Sequence, residues 1–279
     1  MPEILEKNKY LSIVNEHDRD KHIQFEDEGH LYIVDGDSNY KSVTTVVSQF
    51  HEHFNANEVI RKMRISGKKF LPGEVYHDMT DADIKKLWKE NGCKASTAGT
   101  IMHFNIECFY NRNPFENPDL PELELFLSYE AEHAKLLGLV PFRTEWYIFD
   151  KEVRIAGSVD MIYRKEGTAE NEVYIYDWKR VNPLSKENSF SNMKEPFDRF
   201  PDCKYCHYSI QLNIYCYILE KCYGMKVMGM ALVVLHEINE NWIVEPVDRL
   251  DEDIRLLMET RKKQVAGLNS LETNCKMEV

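Results

Sequence analysis

Several things are scarce or missing in this 279-residue chain. No apolar run approaches the roughly 20 residues of a membrane-spanning helix, so no membrane partner is expected. The start, Met1-Pro-Glu-Ile-Leu-Glu-Lys-Asn-Lys9, is polar and has no hydrophobic core of a secretory leader. Positive charge is in deficit: 35 Lys and Arg stand against 47 Asp and Glu, a net charge of −12. A protein that coats nucleic acid over its whole surface is normally basic, and the balance argues against that class. An enzyme with a local basic channel stays open, because phosphate contacts depend on local potential. Repeats and low-complexity tracts are also missing. The seven cysteines are an odd number in a chain without an export signal, which predicts free thiols in an intracellular, reducing compartment, cytoplasm or nucleus.

The patterning that is present predicts an α/β chain. Residues 22–35 alternate around Asp27-Glu28-Gly29 as a hairpin. Ser42–Phe50 suits a short helix, and Asn55 or Asn57 caps another that runs to about Arg64. After a loop through Pro72-Gly73, helices are predicted from Thr80 to about Glu90, over 94–111, and over 121–137 with Gly138 closing it. Strands follow at about 141–149, 152–163 and 171–179. Prolines 183, 196 and 201 keep 181–206 irregular. A helix over 207–223, strands at 226–237 and 241–246, and a helix over 250–267 complete the order. The division expected is 1–92, a β-hairpin plus a helical region forming a wall or arch, and 93–279, a mixed sheet flanked by helices.

The most informative residues are Asp160 and Asp177-Trp178-Lys179. Each group ends an apolar run that reads as a strand. A period of two puts Asp177 and Lys179 on one face and Trp178 on the other. Two carboxylates and an ammonium converging on an apolar sheet are costly as filling. A divalent cation between the carboxylates, with the lysine facing an anionic substrate, removes the difficulty. Glu145 lies on the preceding strand, where its alternative role is an ion pair with Arg143 or Arg154. Gly157 permits close backbone approach beside Asp160. His103 and Glu107 share a helix face four residues apart, as do Gln211 and Tyr215.

Gly99-Thr100-Ile-Met-His103 with Glu107, then Glu145, Gly157-Ser-Val-Asp160, Asp177-Trp-Lys179 and Gln211-Leu-Asn-Ile-Tyr215 together resemble the PD-(D/E)XK nuclease superfamily, in its RecB-like and phage-type exonuclease branch. The motifs occur in the family's order over roughly residues 95–220. Val159 stands where the family name has proline, and the second acid is Asp177 rather than Glu. The resemblance implies a restriction-endonuclease-like core and a Mg²⁺- or Mn²⁺-dependent nuclease acting on DNA. Action on ends, in recombination, repair or viral genome processing, is favoured, which would place a viral protein inside its host cell. Asp160, Asp177 and the Trp178 carbonyl would hold the metal, with His103 and Glu107 at the metal centre. Lys179 would orient or deprotonate the attacking water and stabilise the transition state. Glu145, Gln211 and Tyr215 would complete the catalytic group, the last two contacting a phosphate or base.

Candidate backbone contacts for the nucleic acid are Arg61, Lys62, Arg64, Lys68 and Lys69, with Arg180, Lys186 and Lys204 beside the loop after the catalytic lysine. The acidic balance leaves room for a partner protein that delivers substrate. The competing readings are a degenerate module of the same fold that binds without cutting, an RNA-directed nuclease and a structure-specific endonuclease. Cys203-Lys-Tyr-Cys206-His207 matches a haem-attachment string, but haem is not expected without export. An iron–sulfur cluster is not expected either. Cys93 fits the family's first ligand position, yet Cys203 and Cys206 precede Gln211, and only Cys222 and Cys275 follow it. A zinc site on Cys203, Cys206 and His207 is a minor alternative.

Overall fold

Leu139–Asp150 (β4), a twelve-residue strand rich in apolar and aromatic side chains, opens the sheet in the computed structural model, which describes residues 8–277 and, past 267, the backbone alone. β4 pairs antiparallel along the whole of Ile155–Lys165 (β5). The other edge of β5 is shared. Its first residues, Ile155 and Ala156, pair parallel with the two-residue strand Lys41–Ser42 (β3), and Met161–Tyr163 pair antiparallel with Glu172–Lys179 (β6). From Gly157 to Asp160 that edge has no strand partner among the described residues. β6 continues parallel to Lys226–Val234 (β7), which pairs antiparallel with Ile243–Pro246 (β8). The result is a mixed six-stranded sheet that opens between β3 and β6. A separate hairpin, Ile23–Glu26 (β1) with Leu31–Val34 (β2), packs Tyr32 and Val34 against Phe149 and Ala156.

Helices cover both faces. The first core joins the sheet to Val43–Val47 (α2), Lys204–Tyr223 (α6) and Asp251–Met277 (α7). Ser42 starts α2, its hydroxyl accepting from the Thr45 N–H, one of the donors a helix start leaves unpaired. The second core sets Met102, Ile106 and Tyr110 with Pro121–Tyr129 (α5) over Met161, Tyr163, Tyr176 and Trp178. Tyr10–Val14 (α1) adds Leu11 to it. Along β6, Val173 and Ile175 enter the first core and Tyr176 and Trp178 the second. The expected alternation around Asp177 and Lys179 is therefore observed. β5 does not keep it. Ile155 and Val159 lie in the first core, but Met161 lies in the second and Ile162 in the first, so the alternation slips at Asp160.

The chain forms two compact units, 1–51 with 102–279, and 52–101. The hairpin, grouped in the sequence with the helical region, thus packs in the same unit as the sheet. The second unit contains Ala56–Ser66 (α3), capped by the Asn55 side chain on the Glu58 N–H and ended by Gly67 at φ 68°. Phe54, Tyr76 and Trp88 cluster there, with Trp88 Nε1 donating to the Tyr76 hydroxyl at 2.9 Å. The two helices predicted over 80–90 and 94–111 are one, Asp81–Tyr110 (α4). Gly92 lies inside it, since one glycine lowers helix propensity by only about 1 kcal/mol and does not end a helix. The predicted helix over 121–137 narrows to α5 followed by a π-turn at Glu130–Ala134. α6 begins at Lys204, three residues earlier than expected. β3 and α1, both short, are not evident from periodicity. Among the described residues no helix is long and apolar enough to cross a membrane.

Candidate active site

The opening in the sheet explains why charge gathers at this point. One step beyond the Met161–Tyr176 pair, the register puts Asp160 opposite Asp177. The ladder stops there, and the Trp178 N–H donates instead to Asp160 Oδ2 at 3.1 Å. A side chain thus satisfies the backbone donor that the parting strands release. Asp160 is 9% exposed and Asp177 1%. Lys179, two residues along the same face, forms an ion pair with Asp177 Oδ2, and its Nζ lies 4.6 Å from the centre of the Tyr208 ring.

His103 reaches this point from α4. Its Nε2 lies 2.9 Å from the Trp178 carbonyl. A carbonyl can only accept, so Nε2 carries the proton and Nδ1 faces the acids. Nδ1 is 3.5 Å from Asp160 Oδ2 and 3.6 Å from Glu145 Oε1. These three ligand atoms gather within 4.8 Å of one another. Glu145 is held by the Ser158 hydroxyl, which donates to Oε2 at 2.8 Å. Its backbone takes φ 42°, a left-handed conformation that costs a non-glycine residue of order 1–3 kcal/mol. The register of β4 with β5 puts Glu145 opposite Asp160, where β5 changes face. The alternative ion pairs do not form: Arg143 donates to Asp20 at 2.7 Å, and Arg154 lies 3.7 Å from Asp37.

The electrostatics follow from this crowding. Burial, and then the neighbouring Asp160, push Asp177 up to about 7. Burial likewise raises Asp160, against the pull of His103 and Lys179. Burial disfavours the imidazolium of His103, but Asp160 and Glu145 outweigh it and lift the ring to about 9. For Lys179 burial is again overcome, by Asp177 and Asp160, and the ammonium is held well above its ordinary value. Burial, then Glu145, raises Glu107 to about 7.

The remaining predicted residues divide. Gln211 Nε2 lies 3.3 Å from Asp177 Oδ1 and 3.3 Å from the Tyr215 hydroxyl, so the α6 pair does meet β6. Tyr215 itself is 3% exposed and packs against Gly157, where an added Cβ would meet its ring at 2.7 Å. It braces Gln211 from below. Glu107 lies outside the His103 cluster and, with Glu145, lines a neighbouring 520 Å³ cleft bordered by Asn8, Lys9 and Arg143. The Trp178 carbonyl, expected among the metal ligands, accepts from His103 Nε2 with one of its two lone pairs. Ser158 and Tyr208 enter the site without being singled out by the sequence. Ser158 stands inside the quoted Gly157-Ser-Val-Asp160 motif, but its cross-strand partner is visible only once β4 is aligned.

The basic residues are also unequal. Arg180, 12% exposed, is held between Glu122 at 2.6 Å and Glu237 at 2.8 Å. Lys186 is tied to Glu245 at 2.5 Å, and Lys204 is exposed in the first turn of α6. In the 52–101 unit, Arg64 donates to Asp81 at 2.6 Å and Lys62 pairs with Glu58 at 3.0 Å, while Arg61, Lys68 and Lys69 form no ion pair among the described residues.

A model of the PD-(D/E)XK nuclease superfamily matches residues 116–276, more than half of the chain. The chain belongs to this superfamily. As a PD-(D/E)XK nuclease it carries Glu145, Asp160, Asp177, Lys179, Gln211 and Tyr215 inside the matched span, with His103 and Glu107 ahead of it. Nucleases of this superfamily generally use divalent metals, and the restriction-endonuclease-like core with its mixed sheet is the expected fold. Two solved structures align over most of the chain. A protein named SSO0001 is 13% identical over 95% of this chain and 85% of its own, with a TM-score of 0.30. A candidate exonuclease from Eubacterium rectale is 10% identical over 84% and 82%, with a TM-score of 0.39. No curated protein matches the chain.

Proposed function

We propose that this nuclease hydrolyses DNA phosphodiester bonds with Mg²⁺ or Mn²⁺ and acts on DNA ends. The observation that carries the reading is the burial of Asp160 and Asp177 at the parting of β5 and β6, with Lys179 paired to Asp177 and His103 Nδ1 and Glu145 turned onto the same point. Carboxylates buried together this way fit a divalent cation, since burial, and then the charge of Asp160, already drives Asp177 toward neutrality. Oxygen donors with one imidazole suit Mg²⁺ poorly as a full shell but Mg²⁺ with waters, or Mn²⁺, well. Asp160, Asp177 and Glu145 would hold the ion with His103. When bound it would supply an acidified water and neutralise charge on the phosphate.

The chain's own residues fix the rest. Lys179 stays cationic at neutral pH, so its part is to donate to the water and to the charged phosphoryl oxygens rather than to take a proton. Gln211 holds Asp177 in place, and the Trp178 carbonyl fixes the His103 tautomer. The preference for DNA ends rests on the resemblance of the Gly99–His103 and Gln211–Tyr215 motifs to the RecB-like and phage exonuclease branch.

The test is cleavage of end-labelled single- and double-stranded DNA, circular DNA and RNA in Mg²⁺, Mn²⁺ or EDTA. Activity should vanish in EDTA, and Lys179→Ala should lower it by roughly 10²–10³-fold, as loss of one transition-state donor does. Cleavage indifferent to EDTA and to Lys179→Ala would sink the mechanism. Circular DNA cut as fast as linear would overturn the action on ends.

A further inference from the structure

We propose a second metal site, for a transition ion of the Zn²⁺ class, formed by His51, Asp202 and His207. It shares no residue with the Asp160–Asp177 group. His51 follows the 3₁₀ turn Ser48–Phe50 that continues α2. Asp202 precedes Cys203, the residue that caps α6, and His207 lies in the first turn of α6. All three belong to the unit that holds the sheet. One ligand atom from each lies within 4.8 Å of the other two. His207 Nε2 is 2.6 Å from Asp202 Oδ1, and the side chains are 23% and 8% exposed. The His51 and His207 rings stack at 4.4 Å and 22°.

Two imidazoles and a carboxylate are a donor set for zinc and its neighbours, whereas Mg²⁺ prefers oxygen throughout. The chemistry therefore separates this site from the catalytic one. Bonds of about 2.0–2.2 Å in a tetrahedron put ligand atoms roughly 3.3 Å apart. From the 2.6 Å present, His207 and Asp202 open by under about an ångström, which side-chain rotation supplies, and the His51 ligand atom already lies within 4.8 Å of both. Cys203 and Cys206, the thiols that the sequence offers as zinc ligands, are not in the cluster; their neighbour His207 finds His51, about 150 residues away in the chain, instead.

The ion would join three segments: the turn after α2, the end of the loop that follows Lys179, and the start of α6. Phe50 already packs on Phe197 across two of them, and the Lys194 N–H donates to the Phe50 carbonyl at 2.7 Å. His207 sits one turn before Gln211 on α6, and Gln211 contacts Asp177. A metal here would fix the base of the helix that reaches the catalytic carboxylates.

The experiment uses the full chain carrying Asp160→Asn and Asp177→Asn, so that Zn²⁺ added alone reads this site. Calorimetric titration and elemental analysis after dialysis should give one Zn²⁺ per chain, with a rise in Tm. His51→Ala should weaken binding by more than about 100-fold, beyond what loss of an outer partner does, and abolish the Tm rise. Asp202→Asn guards against a folding defect, because the amide oxygen still accepts from His207 while the anionic ligand is lost. It should bind Zn²⁺ weakly with an unchanged circular dichroism spectrum. Zn²⁺ affinity unaltered in His51→Ala and Asp202→Asn overturns the site. So does a bound equivalent that disappears only in Cys203→Ser with Cys206→Ser.

Discussion

Gly157 shows how one missing side chain fixes a site. Tyr215 fills the place where a Cβ would stand, 2.7 Å from its ring, and the Val43 methyl closes the other side at 3.0 Å. Gly157→Ala should therefore displace Tyr215, lower stability by about 1–3 kcal/mol as overpacking does, and loosen Gln211 on Asp177. Urea unfolding together with the cleavage rate checks this; an alanine variant of unchanged stability and rate would refute it. A second prediction concerns protons. Asp177 and Glu107 are raised to about 7, mainly by burial, so between the ordinary carboxylate range and 7 the folded chain holds more protons than the unfolded one. Their stabilising contribution is present at low pH and is lost as pH rises to 7. In EDTA, wild type should lose Tm relative to Asp177→Asn between about pH 4.5 and 7.5, because asparagine has no charge to bury. Parallel curves would refute the assignment. At this scale the sequence was most legible: Asp160, Asp177 and Lys179 declare themselves as charges that an apolar strand does not otherwise carry. Glu145 was legible as a candidate, but its left-handed backbone and its partner Ser158 across β4 and β5 were not.

At the scale of elements, β6 obeyed its period and β5 did not. A period of two holds only where each residue has extended backbone, and Glu145, at φ 42°, interrupts β4 opposite the slip in β5. The 80–110 helix was over-divided, since Gly92 carries a propensity cost but no break. Arg180 illustrates a different limit. Beside Lys179 it reads as a nucleic-acid contact, yet Glu122, 1% exposed, and Glu237 hold it to α5 and to the segment after β7. No local pattern announces partners 57 and 58 residues away. Removing one member of such a buried pair leaves the other charge unpaired. Arg180→Ala should cost about 3–5 kcal/mol in urea unfolding, and Arg180→Met with Glu122→Leu markedly less. If both variants match wild type, the pair has no structural weight.

For the whole molecule, a net charge of −12 confines nucleic-acid binding to local patches. Arg61, Lys68 and Lys69 are proposed as backbone contacts on the helical unit. Each alanine substitution should reduce the slope of log K against log salt by about 1, in catalytically disabled protein, while Arg64→Ala, whose cation is already paired with Asp81, should not. Equal slopes throughout would remove these residues from the interface. The broad architecture was legible because long strands and amphipathic helices carry their own periods; the grouping of the β1–β2 hairpin with the sheet was not, being set by Tyr32 and Val34 finding Phe149 and Ala156. The slip in β5 matters for anyone recombining this fold with a relative. By hydrogen bonds β5 is one strand, but its side chains follow two frames that meet at Asp160, and the matching turn lies in β4 at Glu145. A chimera that exchanged β5 alone, against a regular β4, would deliver Met161 to the wrong core. The crossover points for such grafts therefore lie outside 139–165, so that both strands travel as one cassette.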